Sequence, residues 1–240
     1  MTEISVSVHV YKIVAILFII PSNCCMSPNA MPNEQADSCT FSPIEDAVAT
    51  IASGGVVLVM DDEGRENEGD LIMAASDVTP EQCAMFIRYG TGILCAPMTA
   101  SRAKELQLPL MVSNNEDPNG TAFTVTCDAI DTTTGVSAVD RTTTLNHLAD
   151  SACGASQFNR PGHVFPLIAK DGGVLARRGH TEASVDLCTL AGKSPVALIV
   201  ELCNDDGTMM RLPDCSKFAA SRGIPLITVE ALVEYRRTHA

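Results

Sequence analysis

Tryptophan is absent from the 240 residues, and phenylalanine and tyrosine are few, so the core is largely aliphatic. Basic residues are also scarce. The 16 Lys and Arg stand against 29 Asp and Glu, a net charge of −13. That balance excludes nucleic acid and an anionic membrane surface as the main partner. An anionic ligand needs a local exception to this field. No C-x-x-C pair occurs among the ten cysteines, which excludes a structural zinc site. Cys83, Cys127, Cys188 and Cys203 lie inside periodic apolar segments, as buried free thiols do, and this implies a reducing compartment. There is no H-E-x-x-H and no G-x-S-x-G. Gly90-Thr91-Gly92 lacks the third glycine of a dinucleotide fingerprint, and Ala191-Gly192-Lys193-Ser194 lacks the first glycine of a P-loop because Leu187 stands there. The one long apolar run, Val10 to Ile20, is broken by Lys12 and is too short for a stable membrane span. It resembles the apolar part of a signal peptide, although Glu3 precedes it and no basic cluster does. Residues 1–40 are therefore read as an extension, either a targeting segment or a proline-rich linker. Residues 41–240 are read as one catalytic-size domain. The cytoplasm is the expected location, with a targeted one left open by the apolar segment.

What is present is concentrated in Asp61–Asp70, DDEGRENEGD, with six carboxylates and one arginine in ten residues. Apolar runs flank it, Val56–Met60 before and Leu71–Ala75 after, and both read as buried strands. Clustered carboxylates at the end of a buried strand repel each other unless a cation joins them, and hard divalent ions prefer oxygen ligands. An acidic hairpin facing water accounts for the segment equally well.

The rest of the chain alternates. Ser42-Pro43 is expected to cap a helix that closes at Gly54-Gly55. Further helices are expected from Thr79-Pro80 to Gly90, from Thr99 to about Leu106, and over 140–149, 181–191, 214–222 and 228–237. Strands are expected over 56–60, 71–75, 93–95, 122–127, 164–168, 196–203 and 225–227, with Pro166 marking an edge or a bulge. Residues 113–120 read as a polar loop. Hairpin-like and crossover connections both occur, so the expected fold is α/β with α+β character, a mixed sheet flanked by helices.

Two histidines sit in Gly/Arg-rich turns. Asn159-Arg160-Pro161-Gly162-His163 reads as a rigid turn before a strand. Arg177-Arg178-Gly179-His180-Thr181 opens a helix whose amides, with the two arginines, suit a phosphate. The helix N-terminus disfavours protonated His180 and favours it as a neutral metal ligand. A hydrogen-bonded structural role is the commoner fate of a lone turn histidine. Glu201 ends an apolar strand, where burial would raise its pKa and suit it to acid–base work, unless a salt bridge or water holds it. The Thr-rich stretches 131–135 and 140–144 offer hydroxyls to a polyol, or simply a loop and a cap. These features point to a metal-assisted enzyme acting on a small phosphorylated polyol.

DDEGRENEGD, the TGILC of 91–95, TTGVSAVDRTTT, NRPGHVFPL, RRGHTEASVDL and VELCNDDGTM occur in that order. From about residue 43 to the C-terminus the chain thereby resembles the 3,4-dihydroxy-2-butanone 4-phosphate synthase family of riboflavin biosynthesis, in its monofunctional form. The resemblance implies a lyase that converts D-ribulose 5-phosphate to 3,4-dihydroxy-2-butanone 4-phosphate and formate. It implies a single α/β domain in a homodimer, with sites at or near the subunit interface. It implies magnesium or manganese, two ions per site, on the metal ligands Glu66 and His180. Substrate contacts map onto Arg65, Glu66, Asp70, Arg177, Arg178, Gly179, His180, Thr181 and Glu201, and the residues essential for catalysis onto His163 and Glu201. Gly64 stands where the family commonly has Asp. Cys95 corresponds to a cysteine found oxidised in some relatives, although a small buried residue explains it too. A different metal-dependent ketose-phosphate isomerase or aldolase would use the same devices. A non-catalytic metal-binding scaffold would have been expected to lose Glu66, His163 or His180.

Overall fold

The apolar runs on either side of the acidic stretch form an antiparallel hairpin. In the structure, a computed structural model that describes residues 40–239, strand β1 (Val57–Met60) pairs with β2 (Gly69–Ala74), Met60 opposite Gly69 and Val57 opposite Ile72. Every residue of both strands is buried. A strand covered on both faces has no polar side, which explains the continuous rather than alternating apolar pattern.

Five more strands complete the sheet: β3 (Cys95–Met98), β4 (Cys127–Ala129), β5 (Phe158–Ile168), β6 (Ala197–Glu201) and β7 (Leu226–Thr228). The order is β4-β5-β3-β6-β2-β1-β7. The β1–β7 and β3–β5 pairs are parallel, and β1–β2, β2–β6, β3–β6 and β4–β5 are antiparallel. The mixed sheet is therefore as expected. Helices α1 (Ile44–Ala52), α5 (His180–Leu190) and α7 (Val229–Thr238) cover one face, packing Ile51, Leu187 and Leu232 against Val59, Ile72 and Ile199. Helices α2 (Pro80–Tyr89), α3 (Ala100–Glu105), α4 (Ala138–Ala149) and α6 (Leu212–Arg222) cover the other, packing Phe86, Ala103, Leu145 and Phe218 against Leu71, Met73 and Leu198. Two cores, the first aliphatic and the second with Phe86, Phe158 and Phe218 among its aliphatics, thus lie on either side of one sheet.

Several local expectations shift. Ser42 does not cap α1: Pro43 holds the cap position, and the Ser42 hydroxyl accepts the Leu226 amide instead. The strand expected at 93–95 lies at 95–98, and Ile93 is exposed. Residues 122–126 make only isolated bridges, Phe123 to Leu167 and Thr124 to Leu110, and the regular strand begins at Cys127. The NRPGH segment is not a turn but the first half of β5, through a cis Arg160–Pro161 bond. Strand β5 is also not an edge, since β3 and β4 flank it. The segment Val10–Ile20 lies outside the described residues, among which no helix is long and apolar enough to cross a membrane.

Candidate active site

Asp61 organises the acidic loop. It follows β1, and its side chain is buried. Oδ1 accepts the Glu68 amide at 2.9 Å, and Oδ2 accepts the Glu66 amide at 3.2 Å and the Arg65 guanidinium at 2.7 Å. The loop thus wraps around one carboxylate, and Arg65 also pairs with the Glu66 carboxylate. This is no open hairpin in water. Asn67, at φ +54, takes the left-handed conformation that lets the chain return into β2.

Register then brings the remaining acids together. Asp70 pairs with Glu201 across β2 and β6, on the face covered by α5. His180 is the first residue of α5 and is buried. Its Nε2–H donates to the Val59 carbonyl at 3.1 Å. That bond fixes the tautomer and leaves Nδ1 facing Asp70 Oδ1 at 3.5 Å and Glu66 Oε2 at 3.7 Å. Arg65, Glu66, Asp70, His180, Thr181 and Glu201 line one cavity of about 240 Å³. Its apolar wall is Ile93, Cys95, Phe123, Leu167 and Ile199, and Asp117 and Thr121 close the rim.

These residues fit a divalent cation. Ligand atoms of Asp61, Glu66 and His180 lie within 4.8 Å of one another. Asp61 is already occupied by Arg65 and two amides, so it serves the loop more than an ion. Asp70 Oδ1 is better placed: it is buried, faces Nδ1, and has no hydrogen-bond partner. A buried carboxylate oxygen without a donor is costly unless a cation or proton meets it.

The electrostatics express the same crowding. The hydrogen bond from His180, and then the charge of Arg65, hold Glu66 down to about 2 against its partial burial. Burial pushes Asp70 up to about 7, reinforced by Glu201 and Glu66, although His180 pulls against it. Burial alone would lower His180, but Asp70, Glu66 and Asp61 outweigh it and raise the imidazole to about 9. The expectation of a neutral His180 is therefore corrected for the metal-free protein. Three carboxylates overcome the helix N-terminus, and the proton on Nδ1 sits where a cation would.

Glu201 is not the deeply buried acid expected. It is half-buried at the end of β6, and its Oε2 accepts the Thr91 hydroxyl at 3.0 Å. Asp70, its cross-strand partner, is the buried carboxylate with the raised pKa. The arginines of the α5 turn are both engaged. Arg177 pairs with buried Glu182 at 2.6 Å and donates to the Asn119 carbonyl and the Thr121 hydroxyl. Arg178 points to Glu230 on the surface. Gly179 stands between: a Cβ there would lie 2.4 Å from the Arg177 guanidinium and 3.1 Å from that of Arg65. His163 does not line the cavity. It is half-exposed on β5 and hydrogen-bonds Asp128. Cys95 is buried, and burial, with the charges of Glu201 and Asp70, pushes its thiol up, which disfavours the reactive thiolate.

Sequence reasoning missed the residues that act through others: Asp61, Thr91, Asp128, and the 113–121 loop. In that loop Asn119 donates to Glu66 Oε1 at 2.8 Å while its carbonyl holds Arg177. Its Asx-type spacing was visible in Asn115 and Asp117, which accept the amides of Asp117 and Thr121. Nothing local announced that the loop lies over Glu66, more than fifty residues away in the chain.

Comparisons with known proteins point to one family. Residues 45–235 match the family model for 3,4-dihydroxy-2-butanone 4-phosphate synthase. A Saccharomyces cerevisiae protein of that name is 54% identical over 204 residues, covering 81% of this chain and 98% of its own. One from Klebsiella pneumoniae (strain 342) is 52% identical over 200 residues, covering 83% of this chain and 92% of its own. A solved 3,4-dihydroxy-2-butanone 4-phosphate synthase in complex with two magnesium ions superposes with a TM-score of 0.80 at 46% identity, over 83% of this chain and 98% of that one.

Proposed function

The chain belongs to the 3,4-dihydroxy-2-butanone 4-phosphate synthase family, and from that premise we propose that it converts D-ribulose 5-phosphate to 3,4-dihydroxy-2-butanone 4-phosphate and formate. It is a lyase of riboflavin biosynthesis. The observation that carries the reading is the convergence of Arg65, Glu66, Asp70, His180, Thr181 and Glu201 on one small cavity. The reaction needs no oxidant, no reductant and no net water: five carbons leave as four plus one.

Glu66 and His180 hold the metal, magnesium or manganese, with two ions per site, and Asp70 Oδ1 faces the same point. A bound divalent cation supplies positive charge against which the negative charge developing on the sugar oxygens is stabilised. Arg65, fixed by Asp61, balances the acidic loop and keeps Glu66 ionised. The substrate phosphate meets the first turn of α5 at Gly179 to Thr181, through backbone amides and the Thr181 hydroxyl. Arg177 joins it by exchanging the Asn119 carbonyl and Thr121 hydroxyl for phosphate oxygens, while Glu182 keeps its guanidinium in place. The Arg178 side chain stays with Glu230, so its contribution is backbone. Glu201, steadied by Thr91 at one oxygen, takes and returns protons with the other. His163 is the second proton carrier.

The working unit is a homodimer, with His163 of one subunit serving the cavity of the other. Residues 41–240 carry the catalysis, and the cytoplasm, where buried thiols stay reduced, is its place. Formate release from ribulose 5-phosphate tests the reading. Formate is expected with Mg2+ and is abolished by EDTA. A metal-independent product, or a sugar product without formate, would overturn it.

A further inference from the structure

We propose that Asp128 is the positioning residue that sets the tautomer and direction of His163, and that the Thr133–Gly135 turn, tethered by Asp140, closes the pair. The proposal deepens the reading of His163 as a proton carrier and rests on it.

Asp128 lies on β4 and is buried. Its two oxygens do different things. Oδ1 accepts the backbone N–H of His163 at 2.8 Å, and Oδ2 lies 2.7 Å from the ring Nδ1. An ionised carboxylate only accepts, so Nδ1 carries the proton and Nε2 keeps its lone pair. Half of the His163 side chain remains open to solvent, so the basic edge is free to meet a substrate.

The backbone is shaped to make this pair. The β4–β5 register shifts between Cys127 and Asp128, a bulge of the kind that re-aims a side chain. Strand β5 passes so close there that a Cβ on Gly162 would lie 2.1 Å from the Cys127 carbonyl carbon. On the other side stands Gly135, at φ +80. A Cβ there would lie 2.1 Å from Asp128 Oδ2 and 2.8 Å from His163 Nδ1. The turn is held by Asp140, whose carboxylate accepts the Thr133 amide, the Thr133 hydroxyl and the Gly135 amide. The Thr-rich motif is thus explained by the histidine it shelters rather than by a sugar.

Asp128→Asn separates positioning from simple bracing. The amide oxygen still accepts the His163 backbone N–H, but the NH2 now faces Nδ1 and drives the ring proton to Nε2. The inversion removes the lone pair where it is needed. The expected loss in kcat is up to about 10⁴-fold, the size of the equivalent exchange in a serine-protease triad, with KM little changed. The limb of the kcat–pH profile that reports the base should move. The double variant Asp128→Asn/His163→Ala should be no slower than His163→Ala alone, because both act through one imidazole. Near-normal kcat in Asp128→Asn, or multiplied losses in the double variant, would overturn the proposal. Full turnover in His163→Ala would instead remove the proton-carrier reading, and the proposal with it. Should Asp128→Asn fail to fold, ring-nitrogen NMR of the native protein decides: an Nδ1–H tautomer at His163 is expected, and an Nε2–H tautomer refutes it.

Discussion

Asp70 Oδ1 lies 3.5 Å from Nδ1 of His180 and accepts no hydrogen bond. The two residues come from β2 and the first turn of α5, and the same Nδ1 also faces Glu66 Oε2 at 3.7 Å. In the metal-free protein a proton fills the role. His180 is raised to about 9 and Asp70 to about 7, so both bind protons more tightly folded than unfolded. The sign follows. Stability from His180 is complete below its ordinary value of 6.5 and is lost as pH rises toward about 9. Asp70 works the same way between 3.8 and about 7. A cation must displace the proton, so its stabilising effect grows over the same window. The melting temperature in Mg2+ minus that in EDTA should therefore widen from about pH 6 to about pH 9. A gap that narrows would place the cation elsewhere.

Asp70→Asn keeps the shape and removes the charge. With less negative charge around Nδ1, cation affinity should fall by about 10–100-fold, the usual cost of losing a group that orients or neutralises a ligand set. Calorimetric titration with Mn2+ reads it directly. Unchanged affinity would mean that Asp70 answers only to the proton on His180.

Arg177 ties the 113–121 loop to α5 before any substrate arrives. Its partner Glu182 is almost wholly buried. Arg177→Met leaves that carboxylate without a cation, with only the Lys170 amide on Oε1, which costs about 3–5 kcal/mol of stability. It also frees the Asn119 carbonyl, so amides of residues 113–121 should exchange faster in the substrate-free protein. The KM for ribulose 5-phosphate should rise as well. If only KM changes and exchange does not, Arg177 is a phosphate ligand and no latch.

Arg102 gives a stability test far from chemistry. Its side chain is buried and donates to the carbonyls of Leu148, His147, Asp150 and Cys153, which collects the loose C-terminal end of α4. Arg102→Met removes their shared donor, leaving the Asp150 carbonyl only the Cys153 amide, and a loss of about 3 kcal/mol in denaturant unfolding is expected. Turnover per folded molecule should stay normal. A loss below about 1 kcal/mol would mean that water replaces the guanidinium without penalty.

The legible part of this fold is the part written in local pattern. Leu58, Val59, Leu71 and Ile72 announced buried strands because both faces of the sheet are covered, and Thr79 and Thr99 announced helix starts because a hydroxyl three residues before an amide is a local device. The Glu66–His180 meeting was legible only through the order of family motifs. What failed was non-local. Ser42 is a good cap by type, yet Leu226 competes for its hydroxyl from 184 residues away. Asn159–His163 has turn composition, yet β4 recruits it into a strand. His180 looks neutral from the dipole of its own helix, yet Asp70, Glu66 and Asp61 arrive from the β1–β2 hairpin and reverse the sign.

His163 lies at the cavity's end of the sheet but does not line the cavity. Phe165 and Ile199 both pair with Cys95, so His163 and Glu201 sit two residues beyond them at the same end of the sheet. Two strand spacings separate them, about 10 Å, with exposed Ile93 between. Beside them stand further exposed aliphatics, Ile130, Val136 and Val139. Val136 follows the glycine that shelters His163, and Ile130 follows β4. Apolar side chains gathered at one end of a sheet are the kind of surface that an oligomer buries. If two copies meet there, the imidazole of each reaches the cavity of its partner. Mixing inactive Glu66→Gln subunits with inactive His163→Ala subunits decides the matter. In trans, each mixed dimer carries one doubly damaged site and one intact site. With half the dimers mixed, about one quarter of native activity should return. In cis, every site keeps one lesion and the mixture stays dead.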